Sequence, residues 1–380
     1  MQNFTYRNPT EILFGRGMIA ELATRVPEAG PVLFVYGGGS IKRNGVYDQV
    51  CAALPDHRLI EFGGITPNPV YETCLEAVEI VRREGIGFVL AVGGGSAIDA
   101  AKFIAAATCY ADDDPWEILR TRGAVVTGAL PVGTVLTLPA TGTESNGNSV
   151  ISRAATDEKL HFTSAHSFPV FSVLDPETTF TLPTRQVRNG IVDAFVHTME
   201  QYLTYPAGAP LQDRLAESVL ATLIEVAPTV LAVPDDYDAR ASFMWSATLA
   251  LSTFLGCGVP QDWCTHMIGH EVTAFYGLDH AETLAIVLLG VWQRQLAAKR
   301  AKLEQYGQRV WGVECAEAAI ARTEAFFHAL GMPTRLSDYG IDAAEAGAKV
   351  RARFEWRDES FGEHGDVSGA VAEEILALRA

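Results

Sequence analysis

Three of the chain's nine histidines fall in one short run, DWCTHMIGHEVTAFYGLDH, at residues 262–280. His266 and His270 are four apart, so on a helix they share a face. Gly277 breaks the pattern and lets the chain turn back before His280. Asp193 and His197, in NGIVDAFVHTMEQY, form a second pair spaced by four. Two such pairs and a further histidine just past a helix end predict a metal ion held between two helices. Three imidazole nitrogens with one carboxylate oxygen suit Fe²⁺ or Zn²⁺. With room for one more ligand, such an ion binds an alcohol or carbonyl oxygen and acts as a Lewis acid. Spacing alone leaves open which of His266 and His270 is the ligand and which borders the substrate.

A second chemistry is written in glycines. GGGS occurs at residues 37–40 and again at 93–96, each time after an apolar run, PVLFVY and FVLAV. Glycines where a parallel strand opens onto a helix let phosphate oxygens approach backbone N–H groups. The copy leading into AIDAAK is the better cradle, because its helix begins at once and Ser96 adds a hydroxyl. Neither copy fits GxGxxG. The first copy bears on the ribose. It has no acid before Asp48, and Lys42 and Arg43 follow it. A neutral loop with basic neighbours predicts NADP rather than NAD. Thr137, Thr141, Thr143 and Ser145 crowd the loop TLPATGTESN and suit contacts to the same cofactor.

These residues need elements to hold them. NFTYRNPTEILFG reads as two short strands around Asn8-Pro9, and GMIAELATRV as a short amphipathic helix. PVLFVY, RLIEF, FVLAV, PVGTVLTL and VFSVLDP read as buried strands, with helices at about 46–54, 71–83 and after residue 96. Alternating strands and helices predict a parallel sheet covered on both faces. Beyond TLPTRQV no strand is evident. Helical periodicity recurs at about 186–204, 210–230, 236–256, 262–276, 282–309, 315–330 and 342–355, with one more helix at the end. The expectation is an α/β dinucleotide-binding domain at 1–183 followed by an all-helical metal-binding domain at 184–380.

A formal net charge of −17 argues against nucleic acid, which needs a basic face. Six cysteines without a CxxC pair read as reduced thiols in the cytoplasm. No signal pattern opens the chain, and no apolar run reaches the length of a membrane span, so no membrane partner is expected.

The stretches ILFG, YGGGSIK, EFGGITPNP, AVGGGSAIDAAKFIAAA, LTLPATGTESN, VLDP, VDAFVHTMEQY, GVPQDWCTHMIGHE and GLDHAETLAIVL run over essentially the whole chain. Together they resemble the iron-containing alcohol dehydrogenase family, most closely its butanol dehydrogenase branch of NADPH-dependent aldehyde reductases. The resemblance implies the dehydroquinate synthase-like architecture, with the active site in a cleft between the domains. It implies that Asp193, His197, His266 and His280 ligate the metal and that His270 faces substrate and nicotinamide. It implies a cofactor site drawn from Gly37, Gly38, Gly39, Ser40, Asn68, Gly94, Gly95, Ser96, Asp99, Thr137, Thr141 and Lys159. NAD-using relatives tend to carry Asp at the position of Gly38. Leu289 is a departure, since the LAIVL motif usually continues with Pro.

The reading is an NADP(H) oxidoreductase for small alcohols and aldehydes, acting mainly as an aldehyde reductase, and a homodimer. Two alternatives remain at this point, a dehydroquinate synthase-type lyase that retains its nicotinamide and a non-catalytic nucleotide-binding redox sensor. The first needs a basic cluster beside the metal, and the second needs no metal.

Overall fold

The computed structural model describes the whole chain, Met1–Ala380. Eight strands and fourteen helices follow one another. β1 (Glu11–Phe14) and β2 (Val32–Tyr36) come first. Two helices, α1 (Ser40–Arg43) and α2 (Val46–Ala53), then lead to β3 (Leu59–Phe62) and α3 (Tyr71–Glu84). β4 (Phe88–Gly94) runs straight into α4 (Gly95–Cys109), followed by α5 (Glu117–Arg120) and β5 (Val132–Leu138). β6 (Asn148–Arg153), β7 (Glu158–Thr163) and β8 (Phe171–Leu174) complete the strands. From there the chain is helical. α6 spans Thr184–Tyr202, α7 Pro210–Ala232, α8 Tyr237–Ala250, α9 Cys264–Tyr276 and α10 His280–Arg294. α11 (Leu296–Tyr306), α12 (Ala316–Ala329), α13 (Ala343–Arg357) and α14 (Gly369–Ala377) end it.

Six strands form one parallel sheet in the order β1-β8-β5-β4-β2-β3. Period-two alternation sends β2 residues to both faces. Val32, Phe34 and Tyr36 pack with Ile19, Leu22, Val46 and Val50 on one side. Leu33 and Val35 pack with Val78, Val81, Ile98 and Ile104 on the other. A strand buried on both faces has to be apolar throughout, which is why PVLFVY stands out in the sequence.

Four expectations need correction. Residues 1–10 form no strand, so the opening segment holds one strand, Glu11–Phe14, and not two. β6 and β7 pair antiparallel in a sheet of their own, which the sequence reading missed. Their turn carries Asp157 at φ 48°, a left-handed residue without the glycine that usually signals one. The long helix expected at 282–309 is divided at Gln295 into α10 and α11. Finally, α7 is 23 residues long with a mean hydropathy of 1.6 in its most apolar window, which is enough to span a membrane by length and composition. It carries Asp213, Arg214, Glu217, Glu225 and an internal Pro228, and it buries Ala216, Val219, Leu220, Leu223 and Ala227. That one-sided burial is the pattern of an amphipathic core helix.

Two compact units result. One comprises Arg7–Pro183 and Val233–Ser252, so it takes in the sheet and α8. The other comprises Met1–Tyr6, Thr184–Ala232 and Thr253–Ala380, and holds the remaining long helices. The first residues join the helical unit through the Gln2 N–H, which donates to Gly258 O at 2.8 Å, and through the Tyr6 ring, 5.4 Å from that of Phe254.

Candidate metal centre and nucleotide cradle

Asp193, His197 and Glu200 lie on one face of α6, at i, i+4 and i+7. α9 carries His266 and His270 one turn apart. It ends at Gly277, whose φ of 70° reverses the chain. His280 is then the first residue of α10, behind the N-cap Asp279, whose capping box is completed by Glu282. Asp279 is tied to α6 as well, because its Oδ2 accepts from Asn189 Nδ2 at 2.7 Å and pairs with Arg185 Nε at 2.8 Å. One turn beyond Asn189 stands Asp193, so the cap that starts α10 also delivers His280 to Asp193. Gly269 lets α9 and α10 approach, since a Cβ there would meet Thr283 Oγ1 at 3.1 Å.

Three helices therefore build the centre, not the two expected. His280 Nε2 lies 3.8 Å from Asp193 Oδ1, and His197 Nδ1 lies 3.7 Å from the same oxygen. Ligand atoms about 2.1 Å from one tetrahedral ion stand about 3.4 Å apart, so these spacings are close to what an ion demands. The ligand atoms of Asp193, His266 and His280 fall within 4.8 Å of one another. The His197 ring stacks on His266 at 4.6 Å between centroids. His270 stands 5.1 Å from His280 and 6.3 Å from His266 by ring centroids.

Do these residues fit a divalent ion? The donor set is borderline nitrogen with one hard oxygen, as Fe²⁺ and Zn²⁺ take. His197 Nδ1 is buried with no hydrogen-bond partner, an arrangement that an ion would satisfy. Burial lowers the His197 pKa to about 4, against the pull of Asp193, so the imidazole is neutral as a ligand must be. The group fits.

Around this centre lies a layer that the sequence reading did not find. Glu200 meets His266 Nδ1 through Oε2, and Oε1 accepts the Thr265 N–H at 2.7 Å. The Glu200 carbonyl accepts the Asp262 N–H at 2.9 Å. Asp262, just ahead of α9, accepts the Cys264 N–H at 3.1 Å, and its other oxygen takes Lys299 Nζ at 2.8 Å. Trp263 sits between at φ 62°, unusual for a bulky residue, with its ring 5.3 Å from that of His266. The spacing of Glu200 from His197 was the available signal. Nothing local announces the backbone angle of Trp263.

The sheet unit holds the glycine loops. β4 ends at Gly94 and α4 starts at Gly95. A Cβ on Gly93 would strike Ala97 at 2.8 Å, one on Gly94 Leu138 at 2.9 Å and one on Gly95 Thr141 Oγ1 at 2.7 Å. The glycines are thus required by the packing of Ala97, Leu138 and Thr141 onto the strand–helix junction, at the first turn of α4 that also carries Ser96. Asp99 is buried, with its carboxylate accepting from Thr143 Oγ1 at 2.6 Å and from the Val150 N–H at 3.1 Å. Lys102, three residues on, is fully buried and donates to Thr143 O, Thr143 Oγ1, Asn146 O and Asn148 O. Burial lowers its pKa to about 7. Glu144, also buried, accepts from Thr248 Oγ1 at 2.6 Å. Asn68, at φ 56°, accepts from Lys159 Nζ at 2.9 Å, which brings these two expected residues together. Thr137 is buried on β5.

At the first loop, Gly39 takes φ 85°, and a Cβ on Gly38 would meet nothing within 4 Å. Lys42 is not a solitary cation. Its Nζ donates to Glu61 Oε2 at 2.7 Å, and Glu61 also accepts from Tyr36 OH at 2.7 Å and Tyr47 OH at 2.6 Å. Those donors, Lys42 foremost, lower the Glu61 pKa to about 2. The acid absent after β2 is therefore present on β3, a neighbour in the sheet and distant in sequence.

The iron-containing alcohol dehydrogenase profile matches residues 9–176, and the C-terminal profile of the same family matches residues 188–359. The chain belongs to the iron-containing alcohol dehydrogenase family. Within that family it is 54% identical over 382 residues to the NADPH-dependent aldehyde reductase YqhD of Escherichia coli K12, covering 99% of each chain. It is 43% identical over 353 residues to a probable NADH-dependent butanol dehydrogenase of Bacillus subtilis, covering 90% of this chain and 91% of the other. The crystal structure of E. coli YqhD superposes with a TM-score of 0.98 at 52% identity, over 100% of this chain and 99% of that one. The family's sheet and helices are those described above.

Proposed function

We propose that the protein is a metal-dependent, NADP(H)-linked aldehyde reductase, converting small aldehydes to alcohols and the reverse. The observation that carries this reading is the convergence of buried Asp193 and His266 with His280, and with His197 beside them, in a chain so similar to an NADPH-dependent aldehyde reductase. In it, Asp193, His197, His266 and His280 hold the ion, and His270 borders the substrate. Gly37, Gly38, Gly39, Ser40, Asn68, Gly94, Gly95, Ser96, Thr137, Thr141 and Lys159 line the cofactor site, while Asp99 acts through Thr143. The division of labour follows residues 1–183 for the cofactor and 184–380 for the metal.

When bound, the ion supplies a Lewis acid for the carbonyl oxygen and the reduced nicotinamide supplies hydride to the carbon. The chain supplies the rest. Asp193 would bring one negative charge to the ion, and the imidazoles of His197, His266 and His280 would complete the set. His270 holds the proton that the alkoxide oxygen takes up. Burial of all the ligands except His280, which is partly exposed, limits water at the ion.

Neither alternative gains support. Lys299, a buried cation of the helical unit, is taken up by Asp262 and Glu363 and does not offer a phosphate-binding cluster to a lyase. A redox sensor has no need of a buried ligand set. A homodimer in the cytoplasm belongs to this reading. Its supports are the free state of all six cysteines and β1 at the sheet edge with Phe14 exposed.

The experiment is NADPH and NADH oxidation against an aldehyde series, with metal content measured on the same sample. Turnover with a stoichiometric divalent ion and a preference for NADPH is expected. Activity that survives complete metal removal, or a preference for NADH, overturns the corresponding half of the reading.

A further inference from the structure

We infer that Glu200 is a positioning residue for the metal centre, fixing the tautomer and the orientation of His266 and thereby setting how tightly the ion is held. The inference rests on the metal reading above and goes beyond its four ligands.

The argument begins with the two nitrogens of one ring. A neutral imidazole carries one proton, and only the bare nitrogen can ligate. Glu200 Oε2 meets His266 at Nδ1. If Nδ1 carries the proton and donates to the carboxylate, Nε2 is the ligand atom. If the proton sat on Nε2, that nitrogen would be lost to the ion. Ionised, the Glu200 carboxylate can only accept from Nδ1 and so selects the first form; burial and Asp262 raise its pKa, and the Thr265 N–H opposes that rise. Its other oxygen is engaged by the Thr265 N–H at 2.7 Å, so the carboxylate cannot swing away without leaving a buried donor unpaired.

Glu200 also gives a rigid link between helices. It sits on α6, on the face that carries Asp193 and His197, and it grips the first turn of α9 at two points. Its own carbonyl takes the Asp262 N–H at 2.9 Å, a third tie to the segment entering α9. The spacing between the α6 ligands and His266 is therefore held by the side chain and the carbonyl of this one residue. Such outer carboxylates typically change metal affinity by about 10- to 100-fold when removed.

Glu200, Asp262 and Cys264 also bring ligand-type atoms within 4.8 Å of one another and so resemble a second cation site. That place is already served by a cation of the chain. Lys299 Nζ donates to Asp262 Oδ2 at 2.8 Å, Leu203 O at 2.9 Å and Glu363 Oε1 at 3.1 Å. An ammonium with three oxygen partners excludes a dication beside it, and both Glu200 oxygens are in use. The pocket braces the centre and does not duplicate it.

The test is Glu200→Gln. Gln keeps the length and one acceptor oxygen but turns an NH₂ toward one of the two donors. Apo wild type and variant are titrated with Zn²⁺ and with Co²⁺ against a competing chelator. The expected result is one ion per chain in wild type, a Kd raised 10- to 100-fold in the variant, and a changed d–d spectrum of the Co²⁺ form. The melting temperature of the apo proteins separates a merely structural role. An equal fall in apo and loaded forms, with Kd and spectrum unchanged, overturns the inference. Two ions bound per wild-type chain overturn the assignment of the Lys299 pocket. A wild type that binds no ion overturns the metal reading itself. Should the variant not fold, histidine-selective ¹⁵N NMR of the zinc-loaded wild type decides the matter. A proton on Nδ1 of His266 with Nε2 on zinc supports the inference, and zinc on Nδ1 refutes it.

Discussion

Asp193 and His280 test the ligand set most directly, because each reaches the centre from a different helix. Asp193→Ala and His280→Ala should each lose most bound metal and nearly all turnover. Metal analysis checks this, and full occupancy with wild-type activity in either variant removes that residue from the set. His270 is the contrasting case. Its ring stands one turn along α9 from His266 and 5.1 Å from His280. His270→Ala should keep its metal and lose about 10²-fold in kcat, the scale of general acid–base help. Loss of the ion from this variant would make His270 a ligand. Two further single changes address the cofactor. Gly38→Asp meets no steric obstacle. A carboxylate about 4 Å from a 2′-phosphate costs roughly 4 kcal/mol at an effective dielectric near 20, reduced by screening. The ratio of kcat/KM for NADPH over NADH should therefore fall about 10- to 100-fold. Glu61→Gln should move the same ratio the other way, by a few fold, since it frees Lys42 from its acid. Both partners are well exposed, so the effect is modest. An unchanged ratio in both variants would place the ribose elsewhere.

How far elements can be read from sequence depends on whether their cause is local. The pairs Asp193/His197 and His266/His270 were legible because helical spacing puts each on one face, and β2, β4 and β5 because strands buried on both sides must be apolar. The β6–β7 pair was not, since its turn lacks glycine and its strands bury only some of their residues. Glu61 and Glu200 were not, because each does its work on a residue from another element. Lys102 shows the same limit. It reads as an ordinary lysine in AIDAAK and is in fact the buried peg that holds residues 143–148 against α4. Lys102→Met should leave the carbonyls of Thr143, Asn146 and Asn148 without their donor, at a cost of about 3–5 kcal/mol in urea unfolding. The pH dependence has a definite sign. With the folded pKa near 7 against an ordinary 10.5, the unfolded chain holds a proton between those values that the folded chain has released. Stability from this group therefore rises with pH across that window, by up to about 1.4 kcal/mol per unit. The variant should lack that rise. A parallel rise in both proteins would show that Lys102 keeps its proton when folded.

At the scale of the molecule, the metal-type residues and the phosphate-type residues belong to different units. All four proposed ligands lie within Thr184–Ala232 and Thr253–Ala380, and both glycine loops lie within Arg7–Pro183. The sequence showed the change of character near Pro183 but not that Val233–Ser252 returns to the sheet. α8 has a helix pattern like its neighbours, and only its contacts, such as Thr248 with Glu144 and Met244 in the sheet's core, assign it. Two ligands that bind separate units should leave separate footprints in amide hydrogen exchange. Zn²⁺ added to apo protein should slow exchange in α6, α9 and the start of α10. NADPH added without metal should slow it at residues 37–40, at 93–99 and in the threonine loop. A ligand at 100 times its Kd stabilises what it binds by about 2.7 kcal/mol, so amides that exchange through opening of that unit should slow by about 100-fold. α8 supplies the sharpest reading. If the contact-based units are the cooperative ones, its amides respond to NADPH and not to Zn²⁺, although they lie in the half of the sequence that carries the metal ligands. Protection of α8 by Zn²⁺ alone would mean that it unfolds with the helices on either side of it.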